Sequence, residues 1–392
     1  MNTPEAQALT AYLDARLPAY VEELRQLCAI ECPTASKAGV DEAGAWVRRW
    51  MGSRGWELRE WPDAQAGDSL VITARGQGRL RVLLAAHLDT VYPVGTATAR
   101  PVTIDGDVLR GPGSADNKSG LLSALYAMAA LEDLGLLERI GEVSLMCGGD
   151  EETDMRSSLA LMGELAPSYD AALVLECGRE NGDIVGARKG GGSFLLETHG
   201  RAAHAGVEPE KGAHAVLALA QHIVALQALN GLRPGVTVNV GVIHGGTVPN
   251  AVPDYASATI DARVIRPEDV DPLLAALRAE AAREVVPGVR AELSGGWGAP
   301  PMARTPRIEA LAGLANACAE ELGFGVRAAS TGGVSYANHF ASLGLPVLDG
   351  LAPVGGLDHS PSEYILVSSI VPRTALLALL MLRMAQRDGL GG

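Results

Sequence analysis

Three continuous apolar runs punctuate the first half of the chain: LRVLLAAH, EVSLMCGG and AALVLEC. Runs of this length without polar alternation read as strands covered on both faces. Between them, GLLSALYAMAALEDLGLL and SSLALMGELA repeat their apolar positions at helical spacing. Strand and helix in alternation predict an α/β domain with a mainly parallel sheet.

From about Gly191 the rhythm changes. SFLLETHG reads as a strand, HAVLALAQHIVALQAL as a helix, and GVTVNVGVIHGG and ASATIDARVI as two further strands. VDPLLAALRAEAARE then reads as a helix and VRAELSG as a strand, with GGWGAPP closing the module. The order β-α-β-β-α-β is the ferredoxin-like arrangement. RIEALAGLANACAEELG, LPVLDGL and SIVPRTALLALLMLRMAQ then resume the first pattern as helix, short buried strand and helix. The expected architecture is a discontinuous α/β domain, residues 1–190 and 300–392, with an α+β module, residues 191–299, inserted into it.

Composition narrows the classes of function. Hydrophobic residues make up 47%, enough for ordinary globular cores, and no membrane span is expected. A net charge of −14 spread along the chain argues against a nucleic-acid partner. Five scattered cysteines without a CxxC pair indicate neither a disulfide framework nor a zinc knuckle. The opening MNTPEAQALTAYLDARL reads as an amphipathic helix and lacks the layout of a secretion signal, so the cytoplasm is the expected compartment.

The chemistry gathers where strands end. His87 and Asp89 close LLAAHLDT, where alternation puts i and i+2 on one side. A carboxylate there can hold the second ring nitrogen of a metal-binding histidine, though a satisfied strand-end histidine fits the same pair. Asp116 in RGPGSADNKSG stands just before a helix and fits an N-cap as well as a ligand. Neither GxxxxGK[ST] nor GxGxxG is present in that loop, which disfavours nucleotide binding. Asp150, Glu151 and Glu152 end the next strand, Glu176 the one after, and His359 sits in GGLDHSPSEY. Acids and histidines at the carboxyl ends of successive strands line the ligand crevice of an open α/β sheet. Two histidines with several carboxylates suit two zinc ions bridged by a carboxylate, or a similar transition metal.

AAHLDTV, RGPGSADNKSG, GGDEET, LVLECG, RAAHAG, TVPNAVP, DARV, TGGVS and LDHSPSEY stand in the order seen in one family. Across nearly its whole length the chain resembles the aminoacylase and glutamate carboxypeptidase superfamily of di-zinc hydrolases, most nearly its bacterial glutamate carboxypeptidases. The resemblance implies that His87, Asp116, Glu152, Glu176 and His359 bind two zinc ions, with Asp116 bridging and followed by a cis peptide. It implies that Glu151 is the general base and that Asp89 backs the first histidine. His204 would come from the inserted, dimerisation or lid domain of a partner subunit to steady the oxyanion. Arg263 and Asn250 match positions that hold the substrate carboxylate, with Lys189, Thr331 and Gly333 beside them; without the resemblance, Arg263 reads as a surface ion pair. Val334, Ser335 and Tyr336 depart from the glycine–Thr/Ser–Asp continuation of the glutamate carboxypeptidases, and Asp150 receives no role.

The implied activity is hydrolysis of an amide next to a free carboxylate in a small peptide or N-acyl amino acid, carried out by a homodimer. An N-acyl-amino-acid deacylase or dipeptidase of the same superfamily is the nearest alternative. A non-catalytic relative would be marked by loss of Glu151 or of a ligand, and all of them are present.

Overall fold

The computed structural model describes residues 3–52 and 54–387. The strands that build its two main sheets are, in chain order, Glu57–Trp61 (β1), Ser69–Arg75 (β2), Arg81–His87 (β3), Glu142–Gly148 (β4), Ala171–Val174 (β5), Gly190–His199 (β6), Thr237–Gly245 (β7), Tyr255–Val264 (β8), Arg290–Ala299 (β9) and Val347–Leu348 (β10). The chain divides into two compact units, and Ala187–Ala303 with Thr331–Val334 form the smaller.

In the larger unit the sheet order is β1-β2-β4-β3-β5-β10. Strands β4, β3, β5 and β10 are parallel, whereas β1 and β2 add an antiparallel edge. Every residue of β4 is buried, as the unbroken apolar run requires of a central parallel strand. Helix Ser119–Asp133 packs on β3 and β4 and against helix Val367–Ala385. The latter is long and apolar enough to cross a membrane, yet most of it lies buried within the protein. Its Arg373, 2% exposed, donates to the carbonyls of Ala352, Gly182 and Gly350. The opening amphipathic segment forms helix Pro4–Asp14, burying Ala6, Leu9, Tyr12 and Leu13 on one face.

The smaller unit has the sheet order β7-β8-β6-β9, antiparallel throughout. With helices Ala215–Gln227 and Val270–Ala281 between its strands, this is the ferredoxin-like arrangement. Phe194, Leu196, Leu219, Ile260, Leu273 and Leu277 belong to its core. The GGWGA segment does not end the module as a turn. It continues β9 to Ala299, paired with β6 across a register shift between Trp297 and Ala299. Glycine weakens a strand without forbidding it, and Trp297 sets its ring edge-on to Phe194 at 6.1 Å. Thr331–Val334 joins this unit through three bonds: Lys189 N–H to the Thr331 carbonyl, Arg263 to that of Gly332 and Arg188 to that of Gly333, each 3.0 Å.

Candidate metal centre

Parallel pairing puts the carboxyl ends of β3, β4 and β5 at one edge. His87 is in register with Gly148, and Ala85 with Val174, which sets Glu176 level with His87. The acids that follow β4 and β5 therefore arrive where β3 ends, the position a ligand occupies in open α/β sheets.

Asp116 stands at the middle of the cluster. Its Oδ1 is 2.9 Å from His87 Nε2 and its Oδ2 is 3.1 Å from His359 Nε2. Glu152 Oε2 lies 3.1 Å from the same His359 nitrogen, and Glu176 Oε1 lies 4.0 Å from His87 Nε2. Two half-sites thus share one carboxylate: His87 with Glu176, and His359 with Glu152. The peptide bond between Asp116 and Asn117 is cis. His359 occupies the left-handed region at φ 59°, which histidine tolerates better than most side chains.

Asp89 organises the approach. The Nδ1 of His87 is 2.9 Å from the Asp89 carbonyl oxygen and 3.3 Å from its carboxylate, which directs Nε2 toward Asp116. The carboxylate also accepts the N–H groups of Glu151 and Glu152, each at 3.1 Å, and the Thr34 hydroxyl at 2.6 Å. The acid expected behind the histidine is therefore equally the anchor of the Glu151–Glu152 turn.

Asp150 is a helix cap. It accepts the N–H of Ser157 at 2.7 Å and of Ser158 at 3.1 Å, together with the Ser158 hydroxyl, at the start of helix Arg156–Leu165. Glu363, quoted within LDHSPSEY but assigned nothing from sequence, is 2% exposed and holds the Gly113–Asp116 turn. Its signal was only its place four residues after His359.

Electrostatics show what the donor set suits. Burial, then neighbouring acids, pushes the carboxyls of Glu151, Glu152 and Glu176 above their usual range, against partial relief from the histidines. Hydrogen bonds to Asp116 and Glu152 raise His359 to about 11, and those from His87 outweigh the burial that opposes its charging. The cluster thus sets buried carboxyls whose charged form is penalised beside two histidines whose charged form is favoured. Glu152 Oε1 and Glu176 Oε1 are also buried without a hydrogen-bond partner. Orphaned carboxylate oxygens beside imidazole nitrogens suit divalent cations with mixed N/O coordination. His87, Asp116 and Glu152 offer ligand atoms within 4.8 Å of one another.

The remaining candidates lie in the smaller unit. His204 is exposed on the short strand Ala203–His204, which pairs with Ala251–Val252, and the Ala205 N–H reaches the Asn250 carbonyl at 3.0 Å. Arg263 is oriented by Asp261, with Nε 3.0 Å and Nη2 2.8 Å from its oxygens, and its Nη1 donates to Gly332. The ion pair is therefore present, and one N–H on each terminal nitrogen has no such bond among the described residues. Lys189, Thr331 and Gly333 meet it around the 331–334 loop. Two further histidines are buried: His222 lies 3.0 Å from Glu280, and His339 sits in helix Tyr336–Ser342, where desolvation lowers its pKa.

Known proteins share this plan. The chain is 27% identical to carboxypeptidase G2 of Pseudomonas sp. (strain RS-16) over 371 residues, 93% of this chain and 89% of that one. It is 27% identical to acetylornithine deacetylase of Proteus mirabilis (strain HI4320) over 286 residues, 67% of this chain and 72% of that one. The crystal structure of aminopeptidase PepT from Bacillus cereus superposes with a TM-score of 0.82 at 23% identity, covering 95% of this chain and 99% of that one. The model of peptidase family M20/M25/M40 matches residues 83–383, well over half of the sequence, and the chain belongs to that family of hydrolases.

Proposed function

We propose that this protein is a zinc-dependent hydrolase that cleaves an amide next to a free C-terminal carboxylate, releasing an amino acid such as glutamate from a peptide or N-acyl conjugate. The observation that carries the reading is Asp116, whose two oxygens each meet a different histidine, each histidine with its own glutamate. His87, Asp116 and Glu176 would hold one ion, and His359, Asp116 and Glu152 the other. When bound, such ions polarise a carbonyl and lower the pKa of a water.

Glu151 takes the proton of the attacking water and returns it to the leaving nitrogen. Burial raises its carboxyl above the usual range, which strengthens it as the proton acceptor of the first step. Asp89 fixes the Glu151 backbone through its N–H. Arg263, held by Asp261, would grip the terminal carboxylate with its two remaining N–H bonds, with Asn250, Lys189, Thr331 and Gly333 around the same group. His204 would stabilise the tetrahedral oxyanion from the partner subunit of a homodimer. Similarity to carboxypeptidase G2 supports cleavage at a C-terminal residue. The five cysteines are free and buried, which supports a reducing compartment, the cytoplasm.

The similarity to acetylornithine deacetylase favours a second reading, an N-acyl-amino-acid deacylase, and a dipeptidase is a further variant of it. A hydrolysis screen separates these readings when acyl-glutamates, acetyl-ornithine-type substrates and dipeptides are compared with and without a chelator. Preferred turnover of acyl-glutamates supports the carboxypeptidase reading, and preference for acyl-ornithines transfers the assignment. Undiminished activity after complete metal removal sinks both.

A further inference from the structure

We propose that Glu363 is a positioning residue that locks the Asp116 turn to the His359 loop and so sets the metal position of His359 and Glu152, the second of the two, that of His87 and Glu176 being the first; the inference rests on the two-metal reading above. Its carboxylate is 2% exposed. Oε1 accepts the N–H of Ala115 at 2.7 Å and of Asp116 itself at 3.0 Å. Oε2 accepts the N–H of Gly113 at 2.9 Å and the Tyr92 hydroxyl at 2.6 Å. Tyr92 also reaches the carbonyl of Ser360, next to His359, at 2.9 Å.

Burying a carboxylate is costly unless its oxygens are satisfied. Here four donors satisfy it, and three are backbone N–H groups of the segment that carries the shared ligand. Gly113, at φ 74°, makes the turn that aims them inward. The acid belongs to the loop of one ligand and grips the turn of another, across some 250 residues of chain. The Asp116–His359 contact of 3.1 Å is thereby held from behind, without Glu363 touching either imidazole. An amide cannot replace it, because its single acceptor oxygen could meet at most two of the three N–H groups while its NH₂ opposes the third.

The test is a zinc titration of the full-length protein against a chromophoric chelator, with Glu363→Gln and Tyr92→Phe beside the wild type, and thermal melting in parallel. Partners that orient ligands alter metal affinity by roughly 10–100-fold. The expected result is two ions in the wild type. Glu363→Gln should hold the first ion as wild type does and the second at least about tenfold more weakly, and excess zinc should restore kcat with KM little changed. Tyr92→Phe should shift the second ion the same way by about threefold, and it carries the test alone if Glu363→Gln does not fold. Unchanged affinity for both ions in the variants overturns the proposal. Equal weakening of both ions with a lowered melting temperature also overturns it, in favour of a plain structural brace. A wild type that binds fewer than two ions overturns the two-metal reading itself, before any variant is compared.

Discussion

Three adjacent acids after one buried strand have three different fates because the chain turns directly after the strand and sends neighbouring side chains in different directions. Glu152 turns to His359, Glu151 is buried near the cluster without an ion-pair partner among the described residues, and Asp150 caps the next helix. Their removal should therefore be felt in different measurements. Glu151→Gln is expected to keep its metal and unfolding free energy while turnover falls by about 10³-fold or more, the range of a lost general acid–base. Metal analysis with initial rates checks this, and surviving turnover would reassign the base. Asp150→Ala leaves the Ser157 and Ser158 N–H groups without their acceptor, so urea unfolding should show a loss of about 2 kcal/mol. If Asp150→Ala instead melts like wild type, the cap contributes nothing.

Strand β4 and helix Tyr336–Ser342 meet behind the acidic turn. A Cβ at Gly148 would overlap the Tyr336 hydroxyl and approach Ser158 Oγ to 2.8 Å, and that hydroxyl lies 2.9 Å from Ser158 Oγ. The departure from the family pattern at Tyr336 thus fills space that Gly148 leaves open, and it ties the helix to the serine that binds Asp150. Gly148→Ala should cost about 1–3 kcal/mol by overpacking, and Tyr336→Phe in the same chain should recover part of it. A strictly additive double mutant in chemical denaturation would show the two positions to be independent. The elements that were legible are those whose apolar runs have one period: the parallel strands, the long helices and the four strands of the insert. Strand β1 was not read, because ELREW is half-exposed at the sheet edge and carries no unbroken apolar run; β2, SLVITAR, is buried over six residues but its apolar run is short. The ligand cluster was legible because each ligand ends or follows a strand, and the resemblance named the five together. Glu363 and the cap role of Asp150 were not, because they rest on hydrogen bonds to backbone groups, which leave no periodic trace in a sequence.

At the scale of the molecule, the insert leaves β7 as a free edge of its sheet, with Val242 and Ile243 47% and 57% exposed. Helix Ala215–Gln227, packed on β7, exposes Leu217 and Val224, seven residues apart on one face. An apolar edge strand is an aggregation hazard unless something covers it. A second copy of the same edge is the self-complementary cover that a two-fold axis supplies, and it agrees with the homodimer implied by the family resemblance. Val224→Lys combined with Ile243→Lys sets like charges where two copies would face each other. The double variant should run as a monomer in light scattering while the wild type runs as a dimer, with an unchanged melting profile at low concentration. Metal content should stay at the wild-type level, because every proposed ligand lies in the larger unit. If His204 acts in trans as proposed, turnover should nevertheless collapse, and adding the His204→Ala change should cost nothing more. A monomeric variant with full turnover would show that each chain completes its own site and would remove His204 from the reaction in trans.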